Sequence, residues 1–578
     1  MKMRGVMQFV VGVVLTLGLA VFAMAMAERH SKTKATGFAA AVDLTPLDEA
    51  AVNSDGRLKS YASFARDAMA RISGSKRIFD QAPDFTFLDM MIRPERYQDA
   101  DVIYVKNKQM RARIAEILRN EKAIPEERIA TFEKVGLIAG PLFFGQAVSA
   151  QMGEWQRDVI RTEKFVQQIG NAIDLWEDPQ RLAGMLRIVP PGVNDKTAPW
   201  MNVNDLYPVA DNPETPQVDE TAPALSDSLD PAKRDPVRNA WTQVVTAWRA
   251  EDATRVNESL VTLNAALAAV NPELYPSRDQ LRWESMYFKL GNLTWGWLLY
   301  LVSVIFLLMA VIYRWDGARR IGLGAFTVAF LFHTLALGLR WYVSGRWPNS
   351  NMYEAVTTSV WFGTALAIGM ELIARKTALR SLFYLSGGVA SMAALMSARY
   401  IPQLDASIRN MMPVLHDLWL YIHTNVIIAS YALIAMAAIT ALLYLGWRVV
   451  GGGPSYAKAG GTAMLVEAGG KSQKKSSAGE VLDGATMVLM ELSFVLLWAG
   501  LVMGAIWADH SWGRPWGWDP KEVFALNTFL VFLVLVHIRL KVVDKGLWTA
   551  ILAIIGCGVM LFNWIVINFV ITGLHSYA

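Results

Sequence analysis

The sequence holds one cysteine, Cys557, in 578 residues. That excludes an intramolecular disulfide and any Cys-x-x-Cys redox pair, so thiol chemistry would have to arrive with a partner. Charge is scarce as well. Asp, Glu, Lys and Arg make up 18% of the chain against 53% hydrophobic residues, too little charge for a water-soluble surface throughout. The net charge of +4 is small, and the basic residues fall in short loops between apolar blocks. They report orientation across a membrane, and no nucleic-acid partner is expected. No internal repeat is evident in the polar part.

What is present is a series of apolar blocks of about 20 residues, each long enough to cross about 30 Å of hydrocarbon as a helix. Spans are expected near 8–27, 293–313, 320–340, 356–375, 381–399, 419–446, 484–506, 523–541 and 548–571. The chain therefore reads as an all-α polytopic membrane protein with about nine transmembrane helices. A mostly helical extracytoplasmic domain follows the first of them. The expected division is an anchor at 1–27, the polar domain at 28–290 and an eight-helix membrane core at 291–578. Basic clusters at 2–4, 314–320, 375–380, 448–475 and 539–545 fall on one side, expected to be the cytoplasm. The opposite loops are richer in aromatics.

The first block also has features of a signal peptide: Lys2, Arg4, an apolar run and Ala25-Met26-Ala27. Its length favours an uncleaved anchor, while the basic cluster at 29–34 counts against one. Both readings put 28–290 outside. Within that domain, 104–132 and 239–270 carry helical spacing of apolar residues. The Pro-, Asp- and Asn-rich stretch 189–236 reads as a long loop, and the Gly- and Lys-rich 451–477 as a flexible loop on the basic side.

The sharpest local feature is the segment 507–522, which packs Trp507, Trp512, Trp516 and Trp518 among Gly513, Arg514, Gly517, Asp519, Pro520, Lys521 and Glu522. An interfacial aromatic belt explains one or two tryptophans. It does not explain a loop broken by glycine and proline and ending in Trp-Asp-Pro-Lys-Glu. Irregular backbone this near a membrane must line a cavity or be covered by protein. Flat indoles suit a large flat apolar ligand, and glycines let the backbone approach it.

This segment resembles the tryptophan-rich "WWD" signature of the haem-handling proteins of cytochrome c maturation. The resemblance is strongest to the CcsA/ResC subunit of the system II cytochrome c synthase. Arg340-Trp341-Tyr342-Val343-Ser344-Gly345, with Arg346, Pro348, Asn351, Tyr353 and Glu354, is similar to the family's outer loop. Trp419-Leu420-Tyr421-Ile422-His423 and Thr572-Gly573-Leu574-His575 are similar to its two histidine-bearing segments. In the polar domain, Asp55-Gly56-Arg57-Leu58-Lys59, Phe64-Ala65-Arg66 and Met91-Ile92-Arg93-Pro94 more weakly resemble the stretch preceding the core in longer family members.

The resemblance implies that His423 and His575 are axial ligands of an outer haem site, with the tryptophan loop against the macrocycle. Two neutral imidazoles at one level suit a six-coordinate iron. It also implies that His537, about 23 Å deeper by helical rise, is a ligand of an inner site. His333 is only about 10 Å below its span's outer end, so it is expected to be structural or to line the path between sites. His416, His510 and His30 are expected to have no ligand role. Arg340, Arg346 and Arg514, with Lys521, are candidates to pair with haem propionates; Asn351, Tyr353 and Glu354 are candidate loop contacts. Asp519 and Glu522 are expected to orient the loop or cap the next helix.

The function implied is cytochrome c biogenesis. Haem b, as substrate, is presented at the outer face of a bacterial inner membrane. There, with a CcsB/ResB-type membrane partner, it is joined by thioether bonds to the CxxCH motif of apocytochrome c. Thiol-reducing proteins are expected as further partners, and no metal other than haem iron is expected. Three alternatives stay open on the sequence: a haem chaperone or exporter without ligation, a b-haem electron-transfer protein, and a transporter without haem.

Overall fold

The structure, a computed structural model, describes the chain apart from residues 1, 32–33, 159–160, 208–228, 402, 412–416, 459–476, 568–570 and 572–578. The chain divides into two compact units. One joins Met1–Ala27 to Gly291–Ala578; the other is Glu28–Leu290.

The first unit is a helical bundle: α1 (Lys2–Ser31), α2 (Trp297–Tyr313), α3 (Asp316–Ser344), α4 (Met352–Ala374), α5 (Leu382–Tyr400), α6 (Leu418–Val449), α7 (Ala478–Trp512), α8 (Pro520–Ile538) and α9 (Lys545–Phe562). Among the described residues, seven helices are long and apolar enough to cross a membrane, and the 19-residue α5 and α8 fall on the other two expected spans. This is a multi-pass membrane protein. Where the helices begin follows from capping. Asn351, Asp417, Ser477, Asp519 and Asp544 each accept a first-turn backbone N–H of α4, α6, α7, α8 and α9, satisfying donors that have no intrahelical partner.

The bundle has two chemically distinct ends. At one, the expected basic clusters meet: Arg380 pairs with Asp316 at 3.0 Å, Arg448 with Asp544 at 2.9 Å and Arg539 with Asp483 at 2.7 Å. At the other lie the tryptophan loop, the loop 345–351 and residues 403–411.

Helix α1 is seated on α3 by backbone contact. A Cβ on Gly12 would stand 2.1 Å from the Ile321 carbonyl oxygen, and one on Gly324 would stand 2.3 Å from that of Phe9. Only glycine permits this approach, the usual way helices pack where no hydrophobic drive exists. Arg320 donates to Gln8 Oε1 at 3.1 Å beside it. Paired cysteines at Gln8 and Arg320 should therefore crosslink in an otherwise intact chain, and adding Gly324→Leu should abolish the crosslink. Persistence of the crosslink on denaturing gels would show that the glycine contact does not seat α1.

The second unit is mostly helical around its own core, with two short antiparallel pairs not expected from the sequence. These are β1 (Ala51–Ser54) with β2 (Arg57–Ser60), and β3 (Asp101–Tyr104) with β4 (Leu137–Ala139). Asp55 and Gly56 turn the first hairpin with φ of 52° and 76°, the left-handed pair that two-residue hairpins favour. Burial works against the Asp55 charge, yet Lys59 and Arg71 outweigh it and hold the carboxyl down at about 2. The segment Met91–Pro94 serves packing: Arg93 donates to buried Asp89 at 2.6 Å, which also accepts from Tyr97 and Trp248. Of the stretch 189–236, expected as a loop, residues 208–228 lie outside the described residues and 231–236 are helical. A helix already begins at Pro231 because Asp230 caps it and proline suits the first turn.

Candidate functional site

The tryptophan segment is half helix and half loop. Expected as a loop throughout, 507–512 instead continues α7, which ends where Gly513 adopts φ 68°. Residues 513–519 alone are irregular. Glu522 gathers them: its carboxylate accepts from the backbone N–H of Gly517 at 2.8 Å and of Asp519 at 3.2 Å, and Asp519 caps α8 in return. The expected capping roles of Asp519 and Glu522 are thus seen directly. Of the four tryptophans, Trp507 and Trp516 face a cavity, whereas Trp518 is 74% exposed. Trp512 stacks edge-on against Trp507 at 4.8 Å.

The cavity, of about 250 Å³, is walled by α6, α7, α8 and the segment after α9, together with the loop before α4. His423, Asn351, Lys521 and Glu522 line it with the two tryptophans, so six of the residues singled out in the sequence converge. Organic ligands commonly occupy sites of about 300–1,000 Å³, and this cavity lies just below that range. The apolar wall and few polar groups suit such a ligand.

The His423 imidazole is held by its Nδ1–H, which donates to the Gly500 carbonyl at 2.7 Å. A carbonyl only accepts, so the neutral ring carries its lone pair on Nε2. Residues that sequence reasoning missed complete the wall. Tyr431 accepts from Asn563 at 2.8 Å at the start of a π-helical turn, Asn563–Ile567, a distortion often found at functional sites. Asn349 donates to Thr424 and Trp347 to Asn425, at 3.1 and 3.0 Å, tying the 345–351 loop to α6 beside His423. No local signal marks these residues, since three separate segments supply them.

The charged residues of the first loop find each other. Glu354, fully buried, pairs with Arg340 and Arg346, each at 2.9 Å, and accepts from the Ser350 N–H at 2.8 Å. Arg340 also donates to the Ala406 and Ser407 carbonyls and lies over the Tyr353 ring. Asn351 caps α4 and donates to Ser407. This network ties two loops to the ends of α3 and α4 at the tryptophan end, and Arg340 is fully engaged in it. Arg514 is exposed, its guanidinium against Gly517.

The other histidines separate by environment. His333 is buried, with Nδ1 accepting from Tyr300 at 3.3 Å and Nε2 donating to the Thr357 carbonyl at 3.1 Å. Both nitrogens are thus used within the bundle. His537 lies in the last turn of α8, near the basic end. It is exposed on the bundle flank, with Nδ1 donating to the Leu533 carbonyl at 2.7 Å. His510 stands 3.7 Å from Asp417 at the tryptophan end. His575 and His416 lie outside the described residues, as does the side chain of His30. Among the described residues, no cluster of three or more His, Cys, Asp or Glu is set to hold a metal ion.

Residues 349–575, which hold nearly all of this site, match the family described as "Cytochrome C assembly protein". The cytochrome c biogenesis protein CcsA of Guillardia theta is 32% identical over 290 residues, 48% of this chain and 94% of that protein. CcsA of Thermosynechococcus vestitus is 30% identical over 312 residues, 49% of this chain and 97% of that protein. Protein NrfI of Wolinella succinogenes is 25% identical over 535 residues, 90% of this chain but 53% of its own length. The chain thus spans about half of NrfI, and that likeness runs back into the unit before the membrane core.

Proposed function

We infer a haem-delivering function from one premise: the chain belongs to the CcsA family of cytochrome c biogenesis proteins and acts in cytochrome c maturation. The observation that carries the inference is the convergence of His423, Trp507 and Trp516 on one apolar cavity at the end opposite the basic loops. The basic end faces the cytoplasm by the excess of Lys and Arg in its short loops. The tryptophan end and residues 28–290 then lie outside the inner membrane of a bacterium.

Haem b is the substrate. It is taken up at His537, whose exposed position on the bundle flank leaves room for a second ligand from a CcsB/ResB-type partner. An ionisable side chain on a lipid-facing flank is costly unless something covers it, which supports such a partner. Haem is then held at the cavity by His423 and His575, with Trp507 and Trp516 against the ring. The chain's part is positioning. The apocytochrome supplies the reacting groups. Each thiol of its CxxCH segment adds across a vinyl group, the S–C bond forming at one carbon and the thiol proton passing to the other. Thiol-reducing proteins keep those cysteines reduced. The chain's own Cys557 is half-buried in α9 and does not line the cavity, in keeping with this division. A b-haem electron-transfer reading needs a second ligand within the bundle, and His333 already spends both nitrogens on Tyr300 and Thr357.

The test is co-expression with a CcsB-type partner and a CxxCH reporter in cells lacking their own maturation system. Covalent haem on the reporter is the expected result. Haem bound to the chain with none attached to the reporter would reduce the function to a chaperone's, and a chain that takes up no haem would overturn the inference altogether.

A further inference from the structure

We propose that Gly504, one turn beyond Gly500 on α7, is a positioning residue that seats the His423 imidazole and gives it access to the Gly500 carbonyl. The proposal rests on His423 being an iron ligand. A G-x-x-x-G step in an apolar helix ordinarily marks close helix packing. Gly12 and Gly324 are of that kind, since a Cβ there would strike backbone. Gly504 differs in what it meets. A Cβ at Gly504 would stand 2.6 Å from Cε1, 2.8 Å from Nδ1 and 3.2 Å from Nε2 of His423. The ring occupies the space that a side chain would fill.

The hydrogen bond depends on that space. Inside α7 the Gly500 carbonyl accepts the regular bond from the backbone N–H four residues on, which is that of Gly504. Its second lone pair takes the His423 Nδ1–H at 2.7 Å. The imidazole reaches this oxygen by crossing the position where residue 504 would carry a Cβ. At Gly500 the corresponding Cβ would meet Ile427 and not the imidazole, at 2.5 Å from Cδ1, 2.7 Å from Cγ1 and 3.5 Å from the backbone nitrogen. Gly500 therefore supplies the acceptor and Gly504 the clearance. An acceptor behind a ligating histidine fixes its tautomer and raises its basicity. The bond thus strengthens His423 as a ligand and favours the oxidised iron.

The experiment uses the full chain purified with haem and its partner, comparing wild type with Gly504→Ala, His423→Ala and Gly446→Ala, the last at a glycine whose Cβ meets nothing within 4 Å. Gly446→Ala should match wild type. Gly504→Ala should keep the wild-type thermal midpoint, lose haem about tenfold more readily, gain a high-spin component and show a more positive reduction potential. A wild-type spectrum and potential in Gly504→Ala, with both altered in His423→Ala, would overturn the seat alone. Wild-type behaviour in His423→Ala would instead overturn the ligand reading beneath it. A second measurement needs no glycine variant: in the reduced, 15N-histidine-labelled wild type, His423 should show a hydrogen-bonded Nδ1–H, assigned by its loss in His423→Ala. Absence of that proton overturns the proposal even if Gly504→Ala fails to fold.

Discussion

Replacing His423 with alanine should cut the haem recovered with the protein by at least about tenfold, the lower end of what even an outer-shell change costs. Reporter maturation should fall with it, and millimolar imidazole should restore both. The reasoning is one of size and cost. The His423 hydrogen bond to the Gly500 carbonyl is worth about 1 kcal/mol net, small enough that the bundle is expected to stay folded without it. The substitution opens a space of imidazole's own shape beside the Gly500 carbonyl, which a free imidazole can fill in the same tautomer. Recovery by imidazole separates a missing ligand from a damaged fold, because a small molecule does not repair misfolding. Undiminished maturation in His423→Ala would remove His423 from the site. Lower haem that imidazole cannot restore would leave the ligand role without support.

The largest effect on stability is expected from Glu354→Gln. The carboxylate is fully buried and neutralises two guanidinium groups, of which Arg340 is 1% exposed and Arg346 11%. Removing one partner of a buried pair strands the other charge, at a cost of about 3–5 kcal/mol. Here two charges are stranded and the Ser350 N–H loses its acceptor. At roughly 2–4 °C per kcal/mol for a unit of this size, the thermal midpoint should fall on the order of 10 °C. Tryptophan fluorescence in detergent would record it. The contrast is Arg409→Gln. Arg409 pairs with Asp405 in the open, its side chain 70% exposed, and exposed pairs contribute about 0–1 kcal/mol. Equal midpoints for the two variants would show that Glu354 does not organise the loops.

That same cluster shows where sequence reading reached its limit. Arg340, Arg346 and Glu354 were recognisable as significant, yet opposite charges with one possible ligand nearby read as ligand contacts. Only burial reveals that they satisfy one another. The helices were legible because hydropathy and length decide a span almost alone. Their ends were less so, and α7 runs six residues past the expected 506 because nothing before Gly513 breaks it. The four-residue strands β1 and β2 are too short to show alternation, although Asp55-Gly56 carried a turn signal. Trp507, Trp516 and Glu522 could be picked out from local composition, and His423 from the family resemblance. Gly504, Tyr431 and Asn563 could not, since their importance lies in which neighbours reach them from other helices.

The glycine contact between α1 and α3 also has a consequence for biosynthesis. Gln8 and Arg320, which meet beside it, are 312 residues apart in the chain. At roughly 5–20 residues per second, the first helix waits some 15–60 s for its partner to be made. If α1 is the expected uncleaved anchor, it then stands in the lipid with its glycine face uncovered through that interval. Any factor that shields it would act in this window, before the remaining spans exist, and the order of synthesis thereby becomes part of how the bundle is assembled.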